Sequence, residues 1–273
     1  MSVESLFNNV LSLPSIPKVV QELLDSFNSG TASADTIASN INKDQAFAAK
    51  VLRLANSARY GGGRKIASIN SAVVMLGVAQ LRTLVMASGV TSAFVDVPGL
   101  DKLQFWKDTF SIASICKMLA KHARLDPEVA FTCGMMHSIG ELLIHVGEPE
   151  KAAKIDKLVS HGGNCVELQE NMLSYNYADV GLELARRWKF PETIQDAIRG
   201  QIKPLEGAFS PYAALIYIAV SINESDKKSI GADDQMAQFP MELAKKLNLD
   251  LDKVFDDWQS LKSEEDDIDA LLA

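Results

Sequence analysis

The chain has 273 residues, 47% of them apolar and 23% charged, which excludes collagen-like, largely disordered and disulfide-scaffold classes. Its net charge of −8 is uneven: between Asp250 and Ala273 nine acids face Lys253 and Lys262, a local −7 that leaves −1 for everything before it. The 51 residues from Gln45 to Val95 contain no acid but hold Lys50, Arg53, Arg59, Arg64, Lys65 and Arg82, an electropositive segment inside an acidic protein.

Helical periodicity dominates, and no alternating run demands a sheet, so an all-α fold is expected. Pro14-Ser15-Ile16-Pro17 opens the first clear helix, with Val20, Leu23, Leu24 and Phe27 as its apolar stripe and Asn28-Ser29-Gly30 as its end. A short helix follows over Ser33 to Ile41. Asp44 caps a longer one carrying Phe47, Val51, Leu54, Ala55 and Ala58, which Gly61-Gly62-Gly63 terminates. Ser68 caps a helix that Gly77 closes, and another runs from Val78 to about Phe94.

Val97-Pro98-Gly99 is the best boundary in the chain. Beyond it, Leu103 to Arg124 reads as one helix, and Asp126-Pro127-Glu128 starts a second that runs unbroken to about Val146. Further helices are expected over Glu150 to Ser160, Val166 to Ser174, Tyr177 to Trp188, Glu192 to Gln201 and Pro211 to Asn223, with two short ones near Pro240 and Leu251. Three stretches follow: an N-terminal helical subdomain (1–98), a helical bundle (99–262) and an acidic tail (263–273) expected to be disordered.

No membrane span is expected. The longest nearly uncharged run, Ile66 to Val95, includes Asn70, Gln80 and Arg82 and keeps the period of packed helices. Met1-Ser2-Val3-Glu4 lacks a basic leader, and Cys116, Cys133 and Cys165 are odd in number and far apart, which points to a reducing, cytoplasmic location.

His137, Glu141 and His145 are spaced by four on one expected helix, so neighbouring pairs share a face, but the third group falls about 80° from the first. A hydrogen-bonded His within the fold outweighs a metal ligand here. Cys116 and Cys133 sit among apolar residues, as buried thiols do. Gly61-Gly62-Gly63-Arg64-Lys65 lacks the pattern of any phosphate-binding loop, and a mobile turn with a solvated basic edge is the better reading.

Leu13-Pro14-Ser15-Ile16-Pro17, then Leu52 through Gly61 (LRLANSARYG), then Ile69 through Gly77 (INSAVVMLG) resemble, in order and spacing, the signature of the HDOD family. The resemblance continues through Phe105-Trp106, Gly134 through Gly140 (GMMHSIG), Asp179-Val180-Gly181 and Arg187 through Pro191 (RWKFP), covering roughly Leu6 to Asn223. It implies a helical subdomain packed on a bundle related to the HD-domain metal-dependent phosphohydrolases. In catalytic relatives, a first His, a His-Asp pair, further His residues and a late Asp hold the metal. The corresponding positions here are Asp108, the pair His137-Ser138, Tyr177, Gln201 and Val220, so His137 alone keeps its identity.

Hydrolysis of this type needs a cation to neutralise phosphate and generate hydroxide. The resemblance therefore implies a non-catalytic signalling module that binds another protein and takes no cofactor. The rivals are a phosphohydrolase acting on a nucleotide or cyclic dinucleotide, and a sensor that keeps a phosphate-bearing small ligand without turnover. His137 is expected to be buried and bonded to Asp108 or Ser138. Asn56 and Ser57 are expected to fix the turn to Gly61 through free backbone groups. Arg53, Arg59, Arg64 and Lys65 form the candidate partner surface, weighed against a merely solvated face; they would steer an acidic partner, while the remaining negative surface repels long DNA. The tail from Asp256 to Asp269 is a competitor for the same surface within the chain.

Overall fold

The computed structural model describes residues 2–10, 14–22, 33–56, 65–94, 97–228 and 239–262. Every regular element among them is helical. The N-terminal part contains α1 (Val3–Asn9), a helical turn over 18–22, α2 (Ala34–Asn42), α3 (Gln45–Ala55) and α4 (Ile69–Ala93). The rest contains α5 (Lys102–His122), α6 (Pro127–Met136), α7 (Ile139–Gly147), α8 (Pro149–Ser160), α9 (Cys165–Leu173) and α10 (Tyr177–Arg187). It closes with α11 (Glu192–Gly200), α12 (Pro211–Lys227), α13 (Met241–Lys246) and α14 (Leu251–Lys262).

Short polar side chains start these helices by accepting from backbone N–H groups that have no partner within the helix. Ser33 accepts from Thr36, Asp44 from Phe47, Ser68 from Ser71 and Asp101 from Gln104, at 3.0–3.2 Å. Asp126 accepts from Glu128 and Val129 with Pro127 in the first turn, as expected. The helix α1 was not anticipated; Ser2 and Ser5 cap it reciprocally. Gly77 divides α4 with φ +81°, a conformation that costs glycine nothing, so the expected break is present. The stripe residues Leu23, Leu24 and Phe27, the stop at Asn28-Ser29-Gly30, the triple-glycine loop and the acidic tail all lie outside the described residues.

One expectation fails. The single helix from Asp126 to Val146 is two helices, α6 and α7, separated at His137 and Ser138, where Ser138 has φ −107° and ψ 9°. The Glu141 N–H bonds the Ser138 carbonyl at 2.9 Å, while the His137 carbonyl accepts from the Gln201 side chain at 2.8 Å. A tertiary donor thus takes a carbonyl that an unbroken helix would have used.

Close backbone approach sets the packing. A Cβ on Gly134 would lie 2.5 Å from the Ala113 Cα, so α6 lies directly against α5. A Cβ on Gly140 would lie 2.0 Å from the Tyr177 carbonyl oxygen, which puts the start of α7 against the start of α10. Helix α12 packs on α5, and α11 bridges α10 and α12. The N-terminal helices are joined to this bundle by Trp188, whose indole N–H donates to the Pro14 carbonyl at 3.1 Å while its ring packs against Phe94 and Phe190. Leu6, Val85, Trp106, Phe131 and Leu215 belong to one apolar cluster that continues across residue 98. Two stretches, Ile69–Ala93 and Pro127–Gly147, are long and apolar enough to cross a membrane (mean hydropathy 1.6 and 1.3). Gly77 interrupts the first, and the second is 83% buried inside the fold and broken at its middle.

The glycine seam yields opposite expectations at two positions. Gly140→Ala drives a methyl into backbone and should destabilise by ~3 kcal/mol or more. A Cβ on Gly181, across the same seam, meets side chains at ordinary contact distances of 3.4 Å and beyond. Gly181→Ala should therefore fall within about 1 kcal/mol of wild type, helped by helix propensity. Urea unfolding of both variants checks the pair; equal losses would mean that the seam is not set by the Gly140 contact.

Candidate functional site

The six positions that the resemblance places at the family's metal site lie on or beside six helices. Asp108 lies in the second turn of α5, His137 and Ser138 between α6 and α7, Tyr177 at the start of α10, Gln201 just past α11, and Val220 on α12. Gln201 is joined to His137 through the backbone bond described above. The Ser138 and Thr109 hydroxyls meet at 3.5 Å, next to Asp108. Tyr177 is placed by the Gly140 contact, and its backbone N–H donates to Gln169 at 2.8 Å. Val220 is half-buried against the core.

His137 is buried, as expected, but its ring partner is different: Nδ1 bonds the Gly134 carbonyl at 2.6 Å. That oxygen lies one turn back on the helix that ends here, within easy reach of the ring. Asp108 acts on His137 through its charge rather than through a bond. Its carboxylate takes the Lys227 ammonium at 2.5 Å and the Gln104 amide at 2.9 Å. One turn along, the Ser111 hydroxyl donates to Asn223 at 2.8 Å, so α12 is tied to α5 twice. Lys227 was not among the expected residues. It falls seven positions after Val220, two turns along the same helical face, and that spacing is its sequence signal.

Burial holds the His137 imidazolium off, lowering its pKa to about 4, against the smaller opposing effects of the Gly134 bond and the Asp108 charge. The ring is neutral at pH 7. Glu141 is shifted the other way, up to about 7, first by burial and then by the Asp156 carboxylate, with the Cys165 thiol at 3.8 Å opposing. Burial also pushes the Tyr177 phenol and the Cys116 and Cys133 thiols upward, so none is ionised near neutrality. His145, rather than joining His137 and Glu141, points elsewhere: Nδ1 to the Pro98 carbonyl at 3.2 Å and Nε2 to Asp156 at 3.4 Å.

A divalent cation fits these residues poorly. Hard cations want several carboxylates or carbonyls, and zinc wants three or four nitrogen, sulfur or carboxylate donors. The set offers one carboxylate already engaged by an ammonium and one imidazole, beside a neutral hydroxyl, a protonated phenol, an amide turned to the backbone and an apolar side chain. Among the described residues, no group of three or more His, Cys, Asp and Glu is placed to hold one metal.

On the basic segment, Arg53 and Lys65 are exposed; Arg59, Arg64 and Ser57 lie outside the described residues. The two ends of the intervening stretch are clamped by Asn56, as expected for that residue. Its amide donates to the Leu52 and Ile66 carbonyls, and its oxygen accepts from the Ile66 N–H, all at 2.7 Å.

The fold defines an all-α helical protein. The HDOD domain model matches residues 13–204, and the chain belongs to that family. It is 34% identical to the crystal structure of a "Putative phosphohydrolase" from Shewanella amazonensis SB2B, with a TM-score of 0.81, covering 98% of this chain and 95% of that one. An HDOD domain protein with unknown function from Geobacter sulfurreducens is 25% identical with a TM-score of 0.74, over 84% of this chain and 78% of that one. A curated protein from Treponema pallidum (strain Nichols) is 24% identical over 198 residues, which are 71% of this chain but 38% of that protein's own length.

The two shifted groups oppose each other in pH. His137 is lowered from 6.5, so the unfolded chain binds its proton first and stability from this residue is lost as pH falls from about 6.5 toward 4. Glu141 is raised from 4.5, so its contribution is lost as pH rises from about 4.5 to 7. Relative to wild type, His137→Gln should gain stability steadily below pH 6.5, and Glu141→Gln should gain it up to pH 7 and then hold, each by on the order of 2 kcal/mol at its limit. Urea unfolding between pH 4.5 and 8 measures both differences, and pH-independent differences would show that these groups do not titrate with folding.

Proposed function

We propose that this chain is a non-catalytic regulatory module of the HDOD family that works by binding another protein in a signalling pathway. The observation that carries the reading is the state of Asp108, whose carboxylate is held by Lys227 and Gln104 where a metal ligand would be needed. The pair is partly exposed, with side chains 28% and 47% accessible, and contributes at most ~1 kcal/mol to stability. Its significance is chemical, because an ammonium offers no open coordination position, activates no water and polarises no phosphoryl oxygen as a bound metal does. Ser138 adds no negative charge beside it. A cytoplasmic location is part of the same proposal.

The second reading, a metal-dependent phosphohydrolase acting on a nucleotide or cyclic dinucleotide, draws its support from the name of the Shewanella relative at 34% identity. Elemental analysis and turnover separate the two. The expected outcome is no stoichiometric transition metal in purified protein, and no hydrolysis of cyclic dinucleotides or generic phosphodiesters with added Mn²⁺, Fe²⁺ or Mg²⁺. Near-unit metal occupancy, with turnover abolished by His137→Ala, would establish the enzyme instead.

The basic face of Arg53, Arg59, Arg64 and Lys65 is the proposed contact for an acidic partner. Loops held by a rigid scaffold commonly carry recognition, and near this segment Asn56 bonds the Leu52 and Ile66 backbone. Reversing the four charges should remove salt-sensitive partners from a pull-down, and truncation at Leu261 should strengthen them if the tail competes. Identical partner sets and salt sensitivity for wild type and both folded variants would remove the face and the tail from the account.

A further inference from the structure

Among the described residues before Val97, the large apolar side chains left exposed are Val74 and Met75, at 85% and 41%, on the first stretch of α4. Their neighbours Val73, Leu76 and Val78 are half-buried, so an apolar ridge runs across the Gly77 break. The opposite face of that stretch, Ile69 and Ala72, supplies the core contact, and the core does not need the ridge. A solvated helix face ordinarily carries polar groups, and a contiguous apolar one marks a contact. The ridge lies in the segment from Gln45 to Val95, which has no acid. Lys65 is exposed just before the helix, and Arg53 is exposed on α3, which packs on α4. An occupant that fits is apolar on one face and negatively charged around it.

The eleven residues that follow α14 meet that description. Glu264, Glu265, Asp266, Asp267 and Asp269 give 263–273 five acids and no base, and Ile268, Leu271 and Leu272 recur at the three- and four-residue spacing of one helical face. The root of this segment is tied to the part of the bundle that α4 touches. Asp257 on α14 bonds His122 at the end of α5 at 2.9 Å, and past the turn that follows, Asp126 lines one cleft with Ala79 of α4. Eleven residues span up to roughly 36 Å when extended. We propose that 263–273 docks on the Val74–Met75 ridge of its own chain, its apolar side chains on the ridge and its acids toward Arg53 and Lys65. The short tether holds it there at an effective concentration in the millimolar range, so a contact too weak to retain a free peptide is occupied. The docked segment covers the face proposed for an acidic partner and so regulates it; that step rests on the proposed function, and the docking does not.

The test is photocrosslinking of the full chain carrying Val74→p-benzoylphenylalanine, an exposed position that tolerates the probe, with the products mapped by mass spectrometry. The expected product joins position 74 to 263–273 within one chain. Ile268→Ser, Leu271→Ser and Leu272→Ser together, with every acid kept, should cut its yield about fivefold or more. Glu264→Gln, Glu265→Gln, Asp266→Asn, Asp267→Asn and Asp269→Asn together should lower the yield at low ionic strength and make it insensitive to added salt. The same probe at Leu158, an exposed apolar position on α8, should leave the segment unlabelled. No product with 263–273, equal labelling from positions 74 and 158, a yield indifferent to the serine substitutions, or products only between two chains overturns the docking. If the serine variant loses the product yet draws the same partners as wild type in the pull-down, with the same salt sensitivity, the docking stands and its regulatory role is overturned.

Discussion

The approach of Gly140 to the Tyr177 carbonyl is the constraint on which the rest depends. No side chain fits between the two backbones there, so α7 and α10 are brought to a separation that other residues would forbid. With α7 fixed, His137 and Ser138 are fixed at its entrance. With α10 fixed, Trp188 at its end reaches the Pro14 carbonyl and α11 delivers Gln201 to the His137 carbonyl. Three motifs scattered over the chain thus meet because of one missing methyl group.

What forms at that meeting point is a cluster of polar groups engaged within the protein, save the Gln201 side-chain oxygen, which is buried without a hydrogen-bond partner. The imidazole is neutral and bonded to its own helix, the carboxylate faces an ammonium, and the amide is spent on a carbonyl. Networks of this kind lower the cost of burying polar atoms and specify one arrangement of the helices. Polar groups engaged in this way have little capacity left for an outside ligand.

Most of the helices were legible in the sequence because their starts are local events. Ser68, Asp101 and Asp126 each cap a helix through atoms two or three residues away, and Gly77 breaks α4 by its own conformation. The break at His137 and Ser138 was not legible, since hydrophobic periodicity runs straight through it and the group that interrupts the ladder comes from Gln201, 64 residues later. The positions of the site followed from the family motifs, but their partners did not. Gly134 as the acceptor for His137 lies one turn away, yet Asp108 and Ser138 competed for the same ring on paper, and only packing decides between them. Lys227 was overlooked because a lysine near a helix end is ordinarily a solvated residue.

The bond from Trp188 to Pro14 closes a loop of 174 residues. During synthesis, the segment around Pro14, between α1 and α2, has no indole to hold it until that whole stretch has emerged. At roughly 5–20 residues per second this is on the order of 10–35 s. Over the early part of that interval α2 and α3 can already pack on α4, but the buried face of α4 around Leu81, Leu84 and Val85 has no partner until α6 is made. The nascent chain therefore carries an uncovered apolar face early, and the tie from Trp188 to Pro14 is the last of the shared motifs to act.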